Sequence, residues 1–190
     1  MIFDVNAWLG SWPFRSLEYN TPETLIAQLD RSGIDRAAVG FLDGVLHRNP
    51  GPANERLSEI VKPYSDRLVP LGIVNPTYVR WEDDLEACHA KLGMPGIRLF
   101  PVYHNYAPDG PKSKAVVQAC ADRGLPVQIP FRMEDPRQRH WMDPGRTVDL
   151  SAVANLLAAV PTATLIITNM RGTSRIPMWK QEELRDKNWF

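Results

Sequence analysis

The sequence predicts an α/β fold of parallel strands, a (β/α) barrel of TIM type with about six of the eight strand–helix units. Three observations carry this. Short apolar stretches alternate strictly with amphipathic helical stretches along the 190 residues. Segments after the strands are longer and more polar than those after the helices, as where chemistry sits at the carboxyl ends of parallel strands. No G-x-G-x-x-G follows the first strand and no P-loop is present, which removes the support for an open doubly wound sheet. The expectation is a single domain over residues 1–190. Because six units fall short of eight and the chain ends on Asn188-Trp189-Phe190, it is expected to be a fragment, incomplete at the C-terminus.

The first strand is Phe3–Leu9, running into the loop Gly10-Ser-Trp-Pro-Phe-Arg15. Thr21 caps the first helix with Pro22 in its first turn, Leu25, Ile26 and Leu29 form its apolar face, and Gly33 stops it. Arg36–Leu42 is apolar enough for a strand buried on both faces. Ala53 to Tyr64 is the second helix, bent or ended by Pro63. Leu68–Asn75 is the third strand, closed by Pro76. Trp81–Leu92 is the third helix, with Glu82, Asp83 and Asp84 matched to its dipole. Gly96–Phe100 is the fourth strand, and Lys112–Asp122 the fourth helix, ended by Gly124. Leu125–Ile129 is the fifth strand, followed by a charged loop over Pro130–Thr147. Asp149 caps the fifth helix, Ala163–Thr168 is the sixth strand, and Met178–Lys187 is a polar helix.

Charge excludes some classes of partner. Lys and Arg number 22, and Asp and Glu number 22, so nothing argues for nucleic acid or an anionic membrane surface. No apolar run reaches the ~18 residues of a membrane span, and no signal peptide precedes the first strand. The two cysteines, Cys88 and Cys120, fall within predicted helices and read as buried thiols. A cytoplasmic protein binding a small-molecule substrate is expected, and a homo-oligomer is admitted.

Several stretches, in order, resemble the amidohydrolase-related family, the amidohydrolase 2 branch of the metal-dependent TIM-barrel hydrolases. They are Phe3-Asp-Val-Asn-Ala-Trp-Leu-Gly10 with Trp12-Pro-Phe-Arg15, Asn54-Glu-Arg-Leu57, and Asp66-Arg-Leu-Val-Pro-Leu-Gly-Ile-Val-Asn-Pro76. Gly96-Ile-Arg-Leu-Phe-Pro-Val-Tyr-His104 and Leu125-Pro-Val-Gln-Ile129 follow. The resemblance implies one divalent metal, commonly zinc. It would be held by a His-x-His at the end of strand one, by histidines after strands five and six, and by an aspartate after strand eight. Such a metal lowers the pKa of bound water to about 7 and polarises the substrate. This sequence departs from that pattern. Asn6-Ala7-Trp8 stands where the His-x-His belongs, Pro130 near the strand-five position, and Asn169 after strand six. The cofactor therefore stays open: the family expects zinc, and its ligands are largely absent.

The candidates for chemistry cluster after the strands. His104, after strand four, has the unperturbed pKa near 6.5 that suits an acid or base. In the loop after strand five, Asp135 and His140 read as an acid/base pair and Arg132 as an anion clamp, against a solvated charge run. On strand one, Asp4, Asn6 and Trp8 share a face by alternation; Asn6 could orient a carbonyl and Trp8 wall a pocket. Arg98 needs an anionic partner, either Asp4 or a substrate carboxylate. Gln128 and Asn169 are lesser polar contacts, and His47 and His89 read as structural or exposed. The functional expectation is an amidohydrolase-like hydrolase of a small carboxylate, lactone or amide, with His acid/base chemistry and an Arg clamp. The alternatives are a decarboxylase of the same superfamily and a non-catalytic relative with a binding or structural role.

Overall fold

The computed structural model describes residues 1–170. The predicted helix at Met178–Lys187 lies outside the described residues. The chain divides into two compact units, the first made of Met1–Val74 and Asp83–Arg98, the second of Asn75–Glu82 and the chain from Leu99 onward.

In the first unit β1 (Phe3–Leu9), β2 (Arg36–Phe41) and β3 (Leu68–Pro70) form a parallel sheet in that order. The expected third strand is realised as two short ladders. Its first part pairs with β2, and Leu71 N–H still donates to the Val39 carbonyl at 2.9 Å. From Gly72 the chain turns to β5: β4 (Gly72–Ile73) pairs with β5 (Ile97–Arg98). Pro70 has no N–H to continue the first ladder. The peptide of Ile73 is taken by Asn54, whose Nδ2 donates to the Ile73 carbonyl and whose Oδ1 accepts from the Ile73 N–H, both at 2.8 Å.

Helix α1 (Pro22–Arg31) opens on Thr21 as predicted, with a capping box in which Thr21 and Thr24 satisfy each other's backbone N–H. Helix α2 (Gly51–Val61) passes into a 3-10 turn at Lys62–Tyr64, where Pro63 forbids another α-turn. It packs on β2 and β3, burying Ala53, Leu57 and Val61. Helix α3 (Trp81–Glu86) continues as a π-turn over Ala87–Lys91, so Leu92 N–H reaches back to Ala87. Gly33, Gly93 and Gly124 carry φ of +67°, +63° and +67°, left-handed positions that close three of the helices at low steric cost. Leu9, Val39, Leu57, Leu68, Ile73 and Leu85 are the heart of this unit's core, each at most 1% exposed. Each such side chain contributes about 1.5–3 kcal/mol through burial.

In the second unit β6 (Val127–Pro130) pairs in parallel with β7 (Leu165–Thr168). Leu99 N–H donates to the Gln128 carbonyl on the other side of β6. Helices α4 (Pro111–Ala121) and α5 (Leu150–Ala159) lie against each other, and Asp149 caps α5 by accepting from Ser151 N–H at 2.9 Å. Val116, Val117, Cys120, Val127, Leu156, Leu157 and Leu165 are fully buried. Both cysteines are free and buried. Among the described residues no helix is long and apolar enough to cross a membrane.

Candidate functional site

Along β1 the structure corrects one expectation and refines another. Between Asp4 and Ala7 the register advances three residues on β1 for two on β2, a bulge. Alternation is broken there: Asp4 lies opposite Ala37 and Trp8 opposite Gly40, so Asp4 does not share the face of Trp8. Its carboxylate holds the bulge instead, accepting from Asn6 N–H at 2.8 Å. Arg98 was expected to need an anionic partner, either Asp4 or a substrate carboxylate, and the Asp4 charge does act on it. Its guanidinium donates to backbone carbonyls, to Ala7 at 3.2 Å, Ala38 at 3.3 Å and Val5 at 3.5 Å. It stacks on the Trp8 ring at 4.0 Å, and Asp4 supports its charge only through space. The side chain is 0% exposed, and burial pulls its pKa down to about 9, which leaves it charged at neutral pH. Gly40 makes the room, since a Cβ there would strike Arg98 Nη1 and meet the Trp8 ring at 2.9 Å.

These residues do not fit a divalent metal. The carbonyls flanking Asn6 already serve a guanidinium, and a cation rests on the ring at the second ligand position. A dication beside it would add like-charge repulsion. Among the described residues no three of His, Cys, Asp and Glu gather as a metal site.

The second unit gathers the loops after β5 and β6. Tyr103, Asn105, Tyr106, Ala107, Pro144 and Arg146, with Pro101 and Val102, line a cleft of about 640 Å³. A smaller cavity beside it shares Tyr103 and Arg146 and adds Phe100, Arg132 and Met133. Asn105 takes φ +53°, a left-handed position that Asn tolerates better than most residues. Asn169, at φ +60°, donates from Nδ2 to the Arg132 carbonyl at 2.8 Å and so ties the charged loop to the end of β7.

Buried polar groups support the wall of this cleft. Asp143 is 3% exposed and accepts from Gly145 N–H at 2.8 Å. The Arg139 side chain donates to the Gly145 carbonyl. The Tyr103 hydroxyl lies so close to Gly145 that a Cβ there would collide with it. Burial first, then the Asp143 carboxylate, drives the Tyr103 pKa well above the usual tyrosine value, with Glu134 adding and Arg139 opposing. Burial does the same for Tyr106. Both phenols are therefore neutral donors at physiological pH.

The sequence candidates fall unevenly around this cleft. His104 is 6% exposed, its ring 5.9 Å from Phe100 edge-on and 6.5 Å from Tyr106; it packs behind Tyr106. Arg132 reaches the smaller cavity. The Asp135 oxygens face Arg137 at 3.0 Å and Arg132 at 3.5 Å, and Arg137 holds its pKa far below the carboxylate norm. His140 Nδ1 accepts from Met142 N–H at 3.2 Å, and its ring lies beside the exposed Trp141. Gln128 is buried on β6. Sequence reasoning missed Arg146, Asp143 and Gly145. The Asp-Pro-Gly run at 143–145 is a turn signal that marks the place but not the contact with Tyr103.

A model of the amidohydrolase family matches residues 8–181. No curated protein matches the chain. Among solved structures, 2,6-dihydroxybenzoate decarboxylase from Rhizobium superposes with a TM-score of 0.68 at 12% identity, covering 99% of this chain and 78% of that one. An uncharacterised TIM-barrel protein from Bordetella bronchiseptica gives 0.62 at 15% identity, covering 87% and 66%. A protein described as a 2-pyrone-4,6-dicarboxylic acid hydrolase, from Acinetobacter baumannii, gives 0.56 at 16% identity and 87% coverage, and this chain spans 57% of its length. These likenesses show the fold, of TIM-barrel type, as the alternation of strands and helices predicts.

Proposed function

Because this chain belongs to the amidohydrolase family, we propose that it hydrolyses a small carboxylate, lactone or amide at the cleft formed by the loops after β5 and β6. The observation that carries this reading is the cleft itself. It lies beyond the carboxyl ends of parallel strands, where this fold type keeps its chemistry, and combines an apolar aromatic wall with Asn105 and Arg146.

In this reading Arg132 and Arg146 draw the anionic group, Tyr106 donates as a neutral phenol, and Tyr103, its hydroxyl turned to Asp143 and Gly145, contributes its ring. Asn105 offers an amide to a carbonyl. His104 and His140 are the candidates for moving a proton, His104 through displacement of Tyr106 and His140 from the solvent side of the loop. Asp135 anchors Arg132 rather than acting as a base. No step runs through a metal, since the end of β1 does not fit one. Asn6 and Trp8 remain candidates for substrate contact on β1, and Gln128 and Asn169 on β6 and after β7.

Decarboxylation of a cyclic carboxylate is the second reading, favoured by the likeness to the Rhizobium decarboxylase. Incubation of the purified chain with a lactone panel and with 2,6-dihydroxybenzoate separates the two: acid release marks the first and carbon dioxide the second. His104→Ala and His140→Ala complete the test. Turnover unchanged in both removes the histidines from the mechanism, and no turnover of any substrate favours a non-catalytic relative.

A further inference from the structure

In the loop Pro130–Val148 three arginines are committed. Arg132 and Arg137 meet Asp135 at 3.5 and 3.0 Å, and Arg139 donates to the Gly145 carbonyl. Arg146 makes no ion pair or hydrogen bond among the described residues, yet it lines both the cleft and the smaller cavity beside it. A guanidinium stays charged throughout the physiological range and presents a planar fork that matches a carboxylate. Its neighbours in the cleft are Asn105, Pro101, Val102, Ala107, Pro144 and the rings of Tyr103 and Tyr106.

The charge around the cleft limits the anion. Asp143 and Glu134, both buried, act on the Tyr103 hydroxyl, with Arg139 opposing them. Two carboxylates so placed disfavour a dianion more than a monoanion. Pro101 and Pro144 also remove backbone N–H donors from the rim, where a phosphate site would use them.

We propose that Arg146, with the Tyr103 and Tyr106 wall, is the binding site for a compact cyclic monocarboxylate, and that Asp143 is the positioning residue that sets the Gly145–Arg146 turn. This rests on the reading of the cleft as the substrate site. The Asp143 carboxylate fixes the Gly145 N–H, Arg139 fixes the Gly145 carbonyl, and the missing side chain at Gly145 lets Tyr103 close against the turn. The turn so fixed sets the backbone from which Arg146, an exposed side chain, lines the cleft.

The test is isothermal titration of the full chain with benzoate, benzamide and phenyl phosphate, with folding of each variant checked by circular dichroism. Benzoate is expected to bind, benzamide and phenyl phosphate more weakly. Arg146→Gln should weaken benzoate about tenfold or more, the usual scale of a lost guanidinium–carboxylate pair, while Arg137→Gln leaves it unchanged. Asp143→Ala should weaken benzoate, and Asp143→Asn, which keeps an oxygen for the Gly145 N–H, should restore it. Equal benzoate affinity in wild type and Arg146→Gln overturns the site, as does absence of benzoate binding or tighter binding of either analogue. Asn at 143 no better than Ala overturns the positioning role. Turnover that persists in Arg146→Gln removes this inference and leaves the enzymatic reading standing. Arg146-dependent binding without any turnover does the reverse.

Discussion

Replacing Arg98 separates what its charge contributes from what its volume contributes. Burial that lowers its pKa from 12.5 to about 9 corresponds to roughly 5 kcal/mol against the buried cation. Opposing this, the bonds to Ala7 and Ala38 at 3.2 and 3.3 Å are long for charged donors and contribute about 1.5 kcal/mol each. The stack on Trp8 at 4.0 Å adds about 1–2 kcal/mol. These terms nearly cancel, so the charge is close to neutral for stability. Arg98→Met, which keeps most of the volume but leaves the Ala7 and Ala38 carbonyls without their donor, should cost about 1–3 kcal/mol. Arg98→Ala leaves a cavity beneath Trp8 and should cost about 3 kcal/mol more than the Met variant. Urea unfolding followed by circular dichroism at pH 7 measures both. A Met variant destabilised as much as the Ala variant would refute the reasoning, because the guanidinium and not its volume would then be the stabilising element.

Asn54→Leu should lose about 2–4 kcal/mol, because the Ile73 N–H and carbonyl are both left without the side chain that holds them; a change under about 0.5 kcal/mol in the urea midpoint energy would contradict it. Tyr103 and Tyr106 carry pKa values raised by burial in the folded chain. As pH climbs past about 10 the unfolded chain loses these protons first, so native stability falls with rising pH. The Tyr103→Phe/Tyr106→Phe variant should flatten that decline, and absorbance at ~295 nm should lose its delayed component. Asp135, lowered by Arg137, stabilises the fold above the ordinary carboxylate range. That effect disappears as acid titrates it, so Asp135→Asn should unfold with a shallower acid dependence between about pH 4 and 2. Zinc added to the purified chain should leave its thermal midpoint unchanged; a saturable rise would refute the misfit at the end of β1.

Local chemistry wrote much of the fold legibly. Thr21 with Pro22, Asp149, and the glycines at 33, 93 and 124 mark their helix ends by rules that act over a few residues. The strand positions followed from apolar runs. The site was less legible because its geometry depends on contacts between distant segments. Nothing near Arg98 in sequence announces that its acceptors are the carbonyls of residues 5, 7 and 38, since every residue carries a carbonyl. The bulge at Val5–Asn6 is likewise a matter of register with β2, which alternation within β1 cannot reveal. His104 stood out by residue type and position after a strand, yet its packing depends on how the loop folds over Phe100 and Tyr106. Arg146 is one charge among many in the sequence of its loop, and only the contacts of Arg132, Arg137 and Arg139 set it apart.

The closeness of Gly40 to Arg98 bears on descent as well as packing. A side chain at position 40 needs Arg98, 58 positions away, to shorten first, because the arginine occupies the space that side chain would fill. Relatives that retain arginine at the position of Arg98 should retain glycine opposite Trp8, and those that gain a side chain there should have shortened the arginine. A lineage crossing between the two states passes through alanine or serine at one position only after the other has yielded. An alignment should therefore hold shortened residues at 98 beside glycine at 40, but no side chain at 40 beside an intact arginine at 98.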